Sequence, residues 1–331
     1  MPAAPNRRAV AVILLVPLIV TLSLWAFSWP AARIAPRDLP VGVAGPAPAA
    51  EQLQKQFEQR AGAFEIHRYD DEAAARDAIE GRVVYGAVVV TEEGPRLLTA
   101  SAASPVVSQL LTEAAKGAAP SGTAVPVTDI VAAPETDPRG AALGASILPL
   151  ALAGVAAGAM VTVMGLRGAR AAVTLVGAAG LVGIAATAVA HSWLGVVAGD
   201  WWTEAGAVGL TVLAISAGVG GLAALFGSKG IGMGALLMVL LGNAFSGVTS
   251  APELLPEPVG AIGQWLPPGA GGSLLRSAAF FDGAAAGGAV LTLTVWAVLG
   301  LAAVLIGGRR QPEAGSPAEL PGRRREPVLT D

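Results

Sequence analysis

The sequence predicts an α-helical polytopic membrane protein of about six transmembrane helices, with one α/β domain inserted outside the cytoplasm between the first helix and the rest. Three observations carry that expectation. Of 331 residues, 53% are apolar and only 14% charged, and the mean hydropathy is +0.62. An ordinary soluble domain carries roughly 25% charged residues. The charge is also uneven: residues 31–140 hold most of it, while 141–308 are rich in Gly, Ala, Leu and Val. Finally, apolar runs of about 20 residues, enough to cross a hydrocarbon layer about 30 Å thick, recur along the chain.

The first run, 9–29, follows Arg7 and Arg8 in a short cytoplasmic N-terminus, 1–8. Ala31 and Ala32 resemble a cleavage site and the arginine pair a twin-arginine leader, but the run exceeds a signal-peptide core of about 7–15 residues and reads as a retained anchor.

From 30 to 140 the pattern changes to alternating strands and helices. Leu39 to Ala44 reads as a strand, and Ala49 to Gln59, with Leu53 and Phe57 on one face, as an amphipathic helix. Phe64 to Tyr69 is a second strand; Asp70 or Asp71 then caps a helix through Ile79 that Gly81 ends. Val83 to Val90, nearly all apolar, suits a strand buried on both faces, and Arg96 to Ala100 follows a Glu-Gly turn. A helix over Ser104 to Lys116 and a strand over Val125 to Val131 complete the order βαβαββαβ, with some parallel pairing.

The remaining spans, within a five-helix membrane domain at 141–308, are expected at 147–166, 171–190, 205–226, 231–248 and 284–306, none containing Asp, Glu, Lys or Arg. The short loops set the orientation, because Lys and Arg accumulate on the cytoplasmic side. Arg7, Arg8, Arg167, Arg170, Lys229, Arg309 and Arg310 then fall inside, with both termini. Asp200, Glu204, Glu253, Glu257 and Asp282 fall outside, against one Arg276. Trp25, Trp29, Trp193, Trp201, Trp202 and Trp265 come out at the outer interface, and only Trp296 lies deeper. Small residues four apart permit close helix approach in lipid, so Gly154/Gly158, Gly230/Gly234 and Gly283/Gly287 are read as packing pairs. The tail, 309–331, is expected to be disordered, its run Arg323 to Arg325 fixing topology or lying on anionic lipid.

Several classes of function lack their residues. The chain has no cysteine, so disulfides, thiolate metal sites and cysteine nucleophiles are excluded. A net charge of -3 without a basic stripe gives no reason to expect nucleic acid. No GxxxxGK[ST] loop occurs, and Gly227-Ser228-Lys229-Gly230 sits in a two-helix turn. His67 and His191 look too isolated for a metal site or triad, and no G-x-S-x-G elbow is present. The expectation is a non-enzyme with no cofactor.

The most distinctive stretch runs from Leu241 to Gly283. Asn243 and Ser246 are polar residues near the outer end of a span, Pro252-Glu253-Leu254-Leu255-Pro256 breaks the helix, and amphipathic stretches follow at 259–266 and 273–281. The segment 249–283 suits short interfacial or re-entrant helices, tolerated at depth only when buried against protein, or else an interfacial loop. Here the chain resembles the type-2 ABC (ATP-binding cassette) transporter permeases, in the branch of phage-infection-protein-like exporters and their actinobacterial relatives. The likeness rests on the single anchor, the outer domain beginning LPVGVA, five further spans, and G-N-x-x-S-G, P-E-L-L-P, LP and LLRS-x-x-F-F-D-G. By position, Gly242, Asn243, Ser246, Gly247, Pro252, Glu253, Leu255, Pro256, Leu266 and Pro267 match the family's outer-gate segment.

The resemblance implies a permease that dimerises or pairs with a similar subunit, works with a separate cytoplasmic ATPase, and exports amphipathic or lipidic molecules through a plasma membrane. The candidate coupling residues are Arg167, Arg170 and Lys229, although the loop there is shorter than the family's usual coupling segment. High Ala, Gly and Arg with little Lys suggests a GC-rich bacterial genome. A non-transporting scaffold or envelope-assembly protein, its outer domain binding a protein or polymer, is the alternative. An ion-coupled carrier fits less well, for want of ionisable groups at mid-span.

Overall fold

The computed structural model describes residues 5–58, 62–118 and 125–307; the tail expected to be disordered lies outside them. Among the described residues, five helices are long and apolar enough to cross a membrane. They are α1 (Pro5–Ala31), α5 (Ala141–Val163), α6 (Gly168–Thr187, prolonged by a π-helical stretch Ala188–Trp193), α7 (Trp201–Phe226) and α11 (Gly287–Gly307). A small sheet lies between α1 and α5 in the chain.

The expected span 231–248 is shorter than predicted. Helix α8 (Ser228–Ala235) continues as a π-helical stretch, Leu236–Gly242, and the chain then turns. The Ser246 hydroxyl donates to the Asn243 carbonyl at 2.8 Å, and Gly247 has φ of 67°, a left-handed conformation that favours glycine. Apolarity continues to Val248, but the backbone does not.

Helix α7 is the hub, packing against α5, α6, α8 and α11, and it is buried on nearly every face. A helix that is apolar all round belongs in such a position. Glycines let its neighbours close in. A Cβ on Gly158 would lie 2.6 Å from the Ser216 carbonyl oxygen, and one on Gly154 2.6 Å from Ile215 Cγ2. On α8, Gly230 meets the Leu222 backbone and Gly234 meets Val219. The third expected pair does not pack: Gly283 forms a turn with φ of 84°, and neither it nor Gly287 has a neighbour where a Cβ would stand. Helix α1 stands at the edge, touching the bundle through Ala26 and the Trp25 and Trp29 rings, while most of its apolar side chains are exposed.

The segment 249–283 forms a 3-10 turn, Pro252–Leu254, then α9 (Val259–Trp265) and α10 (Pro267–Phe280). Most of α10 is buried, wedged against α7, α11 and α5. Its glycine-rich start makes the wedge possible, since a Cβ on Gly271 would strike Thr211 and one on Gly272 would strike Val248.

The sheet strands are β1 (Leu39–Ala44), β2 (Phe64–Tyr69), β3 (Gly86–Thr91), β4 (Gly94–Thr99) and β5 (Val127–Asp129), in the order β2-β1-β3-β4-β5. β1 pairs parallel with β2 and β3, β3 and β4 form an antiparallel hairpin, and β5 runs parallel to β4. Helices α2 (Ala47–Glu58), α3 (Glu72–Glu80) and α4 (Pro105–Ala118) complete the expected order. Asp71 is the cap of α3, its carboxylate accepting from the Ala74 N–H at 2.8 Å. β3 starts three residues later than expected: Arg82 takes φ of 57°, and the Val83 N–H donates to the Ala78 carbonyl at the helix end.

Alternation along the strands gives the sheet two apolar faces, and the bundle segment contributes to both. Leu39, Val41, Val88 and Leu97 pack with Ala251 and Leu254 on one face, and Ala87, Val89 and Leu98 cluster with Phe281 on the other. Leu254 is fully buried, a contribution of about 2 kcal/mol. The sheet is therefore fastened to the helices by shared core as well as by chain connections.

Candidate functional site

Where the sheet meets the bundle, a cavity of about 400 Å³ opens between them. From the sheet side come Arg82, in the left-handed turn after α3, and Tyr85, at the approach to β3. The bundle contributes Glu253 from the 3-10 turn, Gln264 and Trp265 from the end of α9, and Ser273 and Arg276 from α10. The first turns of α11, with Gly288, Ala289 and Thr292, form a mostly apolar wall.

Hydrogen bonds fix this lining. The Tyr85 hydroxyl donates to Glu253 Oε2 at 2.8 Å, joining residues 168 apart in sequence. Arg82 Nη1 donates to the Ser273 carbonyl at 3.1 Å, and its guanidinium lies 5.2 Å from the Phe281 ring centre. Arg276, only 6% exposed, donates from Nη2 to the Val248 carbonyl at 2.8 Å. Ser273 Oγ donates to Gln264 Oε1 at 2.6 Å, and Gln264 Nε2 donates to the Ser246 carbonyl at 2.9 Å. The backbone of Arg37 and its side chain also bind the carbonyls of Glu253 and Leu254, holding the 3-10 turn in place.

Two arginines and one glutamate share this space, and none of the ion pairs among the described residues includes either guanidinium. Burial pushes Arg276 down to about 10, with the nearby Arg82 charge acting in the same direction and Tyr85 and Glu253 opposing. Arg82 is lowered too, again mainly by burial. Both remain cationic at neutral pH, because a guanidinium does not give up its proton inside a protein. Burial, reinforced by the Glu253 carboxylate, raises Tyr85 so that it keeps its proton and donates.

The residues expected from sequence separate into groups. Glu253 enters the cavity, and Pro252 lines it. Ser246 and Gly247 form the turn behind Gln264, and a Cβ on Gly242 would press on Pro268. Leu255 packs with Ala26, Phe245 and Val259 beside α1. Leu266 and Pro267 start α10, the proline at a position where its missing N–H costs nothing. Asn243 and Pro256 serve the turns on either side. Much of the expected gate is thus the frame of a cavity whose charged residues, Arg82 and Arg276, were not among it. A lone arginine in the apolar run Ser273–Phe281 was a readable signal; nothing local marks Arg82.

Arg167, Arg170 and Lys229 lie at the opposite end of the bundle and are exposed. Arg167 and Gly227, which precedes the start of α8, line one cavity of about 160 Å³ together with Gly307 at the end of α11. The α5–α6 and α7–α8 turns therefore share that end.

His191, expected to be isolated, has a partner. Its Nδ1 lies 2.9 Å from Glu204 Oε2, and Glu204 Oε1 accepts from the Gly199 N–H at 2.8 Å. Glu204 is fully buried in the first turn of α7, not in an outer loop. His67 lies 3.4 Å from Glu65 on β2. Among the described residues, no group of three or more His, Asp or Glu could hold a metal ion. No protein-family model, no curated protein and no solved structure matches the chain.

Proposed function

We propose that this chain is the membrane-spanning subunit of an ATP-driven exporter of amphipathic or lipidic molecules, with hydrolysis supplied by a separate cytoplasmic ATPase. The reading puts the protein in a bacterial plasma membrane as a dimer or paired with a similar subunit, both termini inside and the sheet outside. The observation that carries it is the cavity between sheet and bundle: charged groups on one side, the apolar start of α11 on the other, framed by α9 and the buried α10. A compartment with those two sides suits a molecule with a polar head and an apolar body. The turns bearing Arg167 and Lys229 share the opposite end, where an ATPase could push on both at once.

The chain has no cysteine, so a single introduced thiol reports one place. In native membranes, a thiol crosslinker on Arg167→Cys or Lys229→Cys is expected to capture an ATP-binding cassette subunit. A thiol at exposed Glu93 should not. Absence of any ATPase from both preparations, at low salt as well, would turn the reading toward a non-transporting envelope scaffold.

A further inference from the structure

We infer that the cavity between the sheet and the helical hairpin is a binding site for a single-chain amphiphile whose head is a phosphate monoester or comparable anion, held between Arg82 and Arg276. This deepens the exporter reading and rests on it only for the meaning of the binding, not for its occurrence.

Charge comes first. The lining holds two guanidinium groups against one carboxylate, and that carboxylate is already engaged by the Tyr85 hydroxyl. Each guanidinium offers five N–H donors in a planar fork, and among the described residues each makes one bond, to the carbonyls of Ser273 and Val248. Both side chains line the cavity. Holding a cation at 6% exposure without an ion pair is costly, and an anion with several acceptor oxygens relieves that cost more fully than any neutral group. Arginine suits phosphate in particular, since its fork can make two parallel bonds to one anion.

Shape supplies the rest of the assignment. A volume of about 400 Å³ falls in the range of small-molecule sites, room for a charged head and the start of one chain. Ala285, Ala289 and Trp265 edge the cavity on the side of α11, and the Trp265 ring is mostly exposed there, its backbone carbonyl accepting from the Trp296 indole N–H at 2.9 Å. A head between the arginines would send its chain past Trp265 along the apolar exposed flank of α11, where Leu291, Val295, Val298 and Leu299 point outward.

The test uses the full chain in a neutral maltoside detergent, with no ATPase, and bromine-labelled oleoyl lysophosphatidate as the probe. Bromine quenches tryptophan at short range, so binding reads directly as loss of emission, and W265F reports how much of it comes from Trp265. Two unbrominated competitors, each read by the emission it restores, separate the parts: monooleoylglycerol supplies the same chain without phosphate, and inorganic phosphate the head without a chain. The expected result is saturable quenching, carried largely by Trp265, with the monoglyceride and inorganic phosphate each weaker by about tenfold or more. Arg276→Gln and Arg82→Gln should each weaken the probe by a similar factor. Glu253→Gln should tighten it, because it removes the opposing charge while keeping an acceptor for Tyr85; a purely structural role for these residues would not reverse sign. Equal binding of the monoglyceride would overturn the anionic head, and equal binding of inorganic phosphate would make this a free-anion site and overturn the amphiphile. Quenching unchanged in W265F, or unchanged affinity in both arginine variants, would overturn the location. None of these outcomes depends on whether an ATPase partner is found.

Discussion

Glu204 shows how one side chain can join three pieces of backbone. Its carboxylate, fully buried, receives the Gly199 N–H ahead of α7 and faces His191 Nδ1 at the end of α6, so a single residue closes the connection between two helices. Replacing it with alanine leaves a backbone donor and an imidazole without their acceptor. Each such loss costs about 1–3 kcal/mol, so Glu204→Ala should lower the melting temperature in detergent by several degrees. Glu204→Gln keeps an acceptor for Gly199 and should recover part of that loss. Sequence alone placed Glu204 in a loop, because the charge-free span begins at residue 205; in the fold the chain from His191 to Gly199 supplies its partners. Asp71 was readable for the opposite reason. Its role is local, a cap over the next three residues, and local chemistry is what a sequence displays.

At the scale of helices, the glycine pairs divide by what stands opposite them. Gly154 and Gly158 face α7, where added atoms would meet Ile215 and the Ser216 carbonyl, whereas Gly287 opens to empty space. Gly158→Leu should therefore separate α5 from α7 and lower stability by about 2 kcal/mol or more, while Gly287→Ala should be neutral within about 0.5 kcal/mol. Thermal unfolding of the two variants, measured side by side in one detergent, checks the contrast. Spacing alone could not distinguish these pairs, since a four-residue interval states that two glycines share a helix face and not which helix they meet. The expected span at 231–248 fell short on similar grounds. Hydropathy counts apolar residues, but Ser246 and Gly247 turn the backbone by a hydroxyl bond and a left-handed φ that carry little weight in such a count.

Over the whole molecule, the regular parts were the legible ones. Long apolar runs gave five helices, and strand alternation gave the sheet its order of elements, since both are periodicities within a few turns of chain. The cavity was not legible in that way. Tyr85 and Glu253 lie 168 positions apart and Arg82 and Ser273 lie 191 apart, so their meeting depends on how the sheet docks. The docking itself follows from apolar residues at 251, 254 and 281 completing the two faces of the sheet. Any movement of the 3-10 turn or of the end of α10 must accordingly move the sheet or break that shared core. This gives the exporter account a mechanical form, in which the opposite end of the bundle, with Arg167 and Lys229, is linked through α7 and α11 to the walls of the cavity.

The most direct test of that account is uptake of a fluorescent lysophosphatidate into inverted membrane vesicles of the native host, in which export appears as accumulation inside. The account predicts accumulation that requires ATP, disappears from vesicles lacking this chain, and falls at least tenfold with Arg276→Gln assembled at normal levels. Accumulation that is equal with and without the chain, or that proceeds unchanged without ATP, would contradict it.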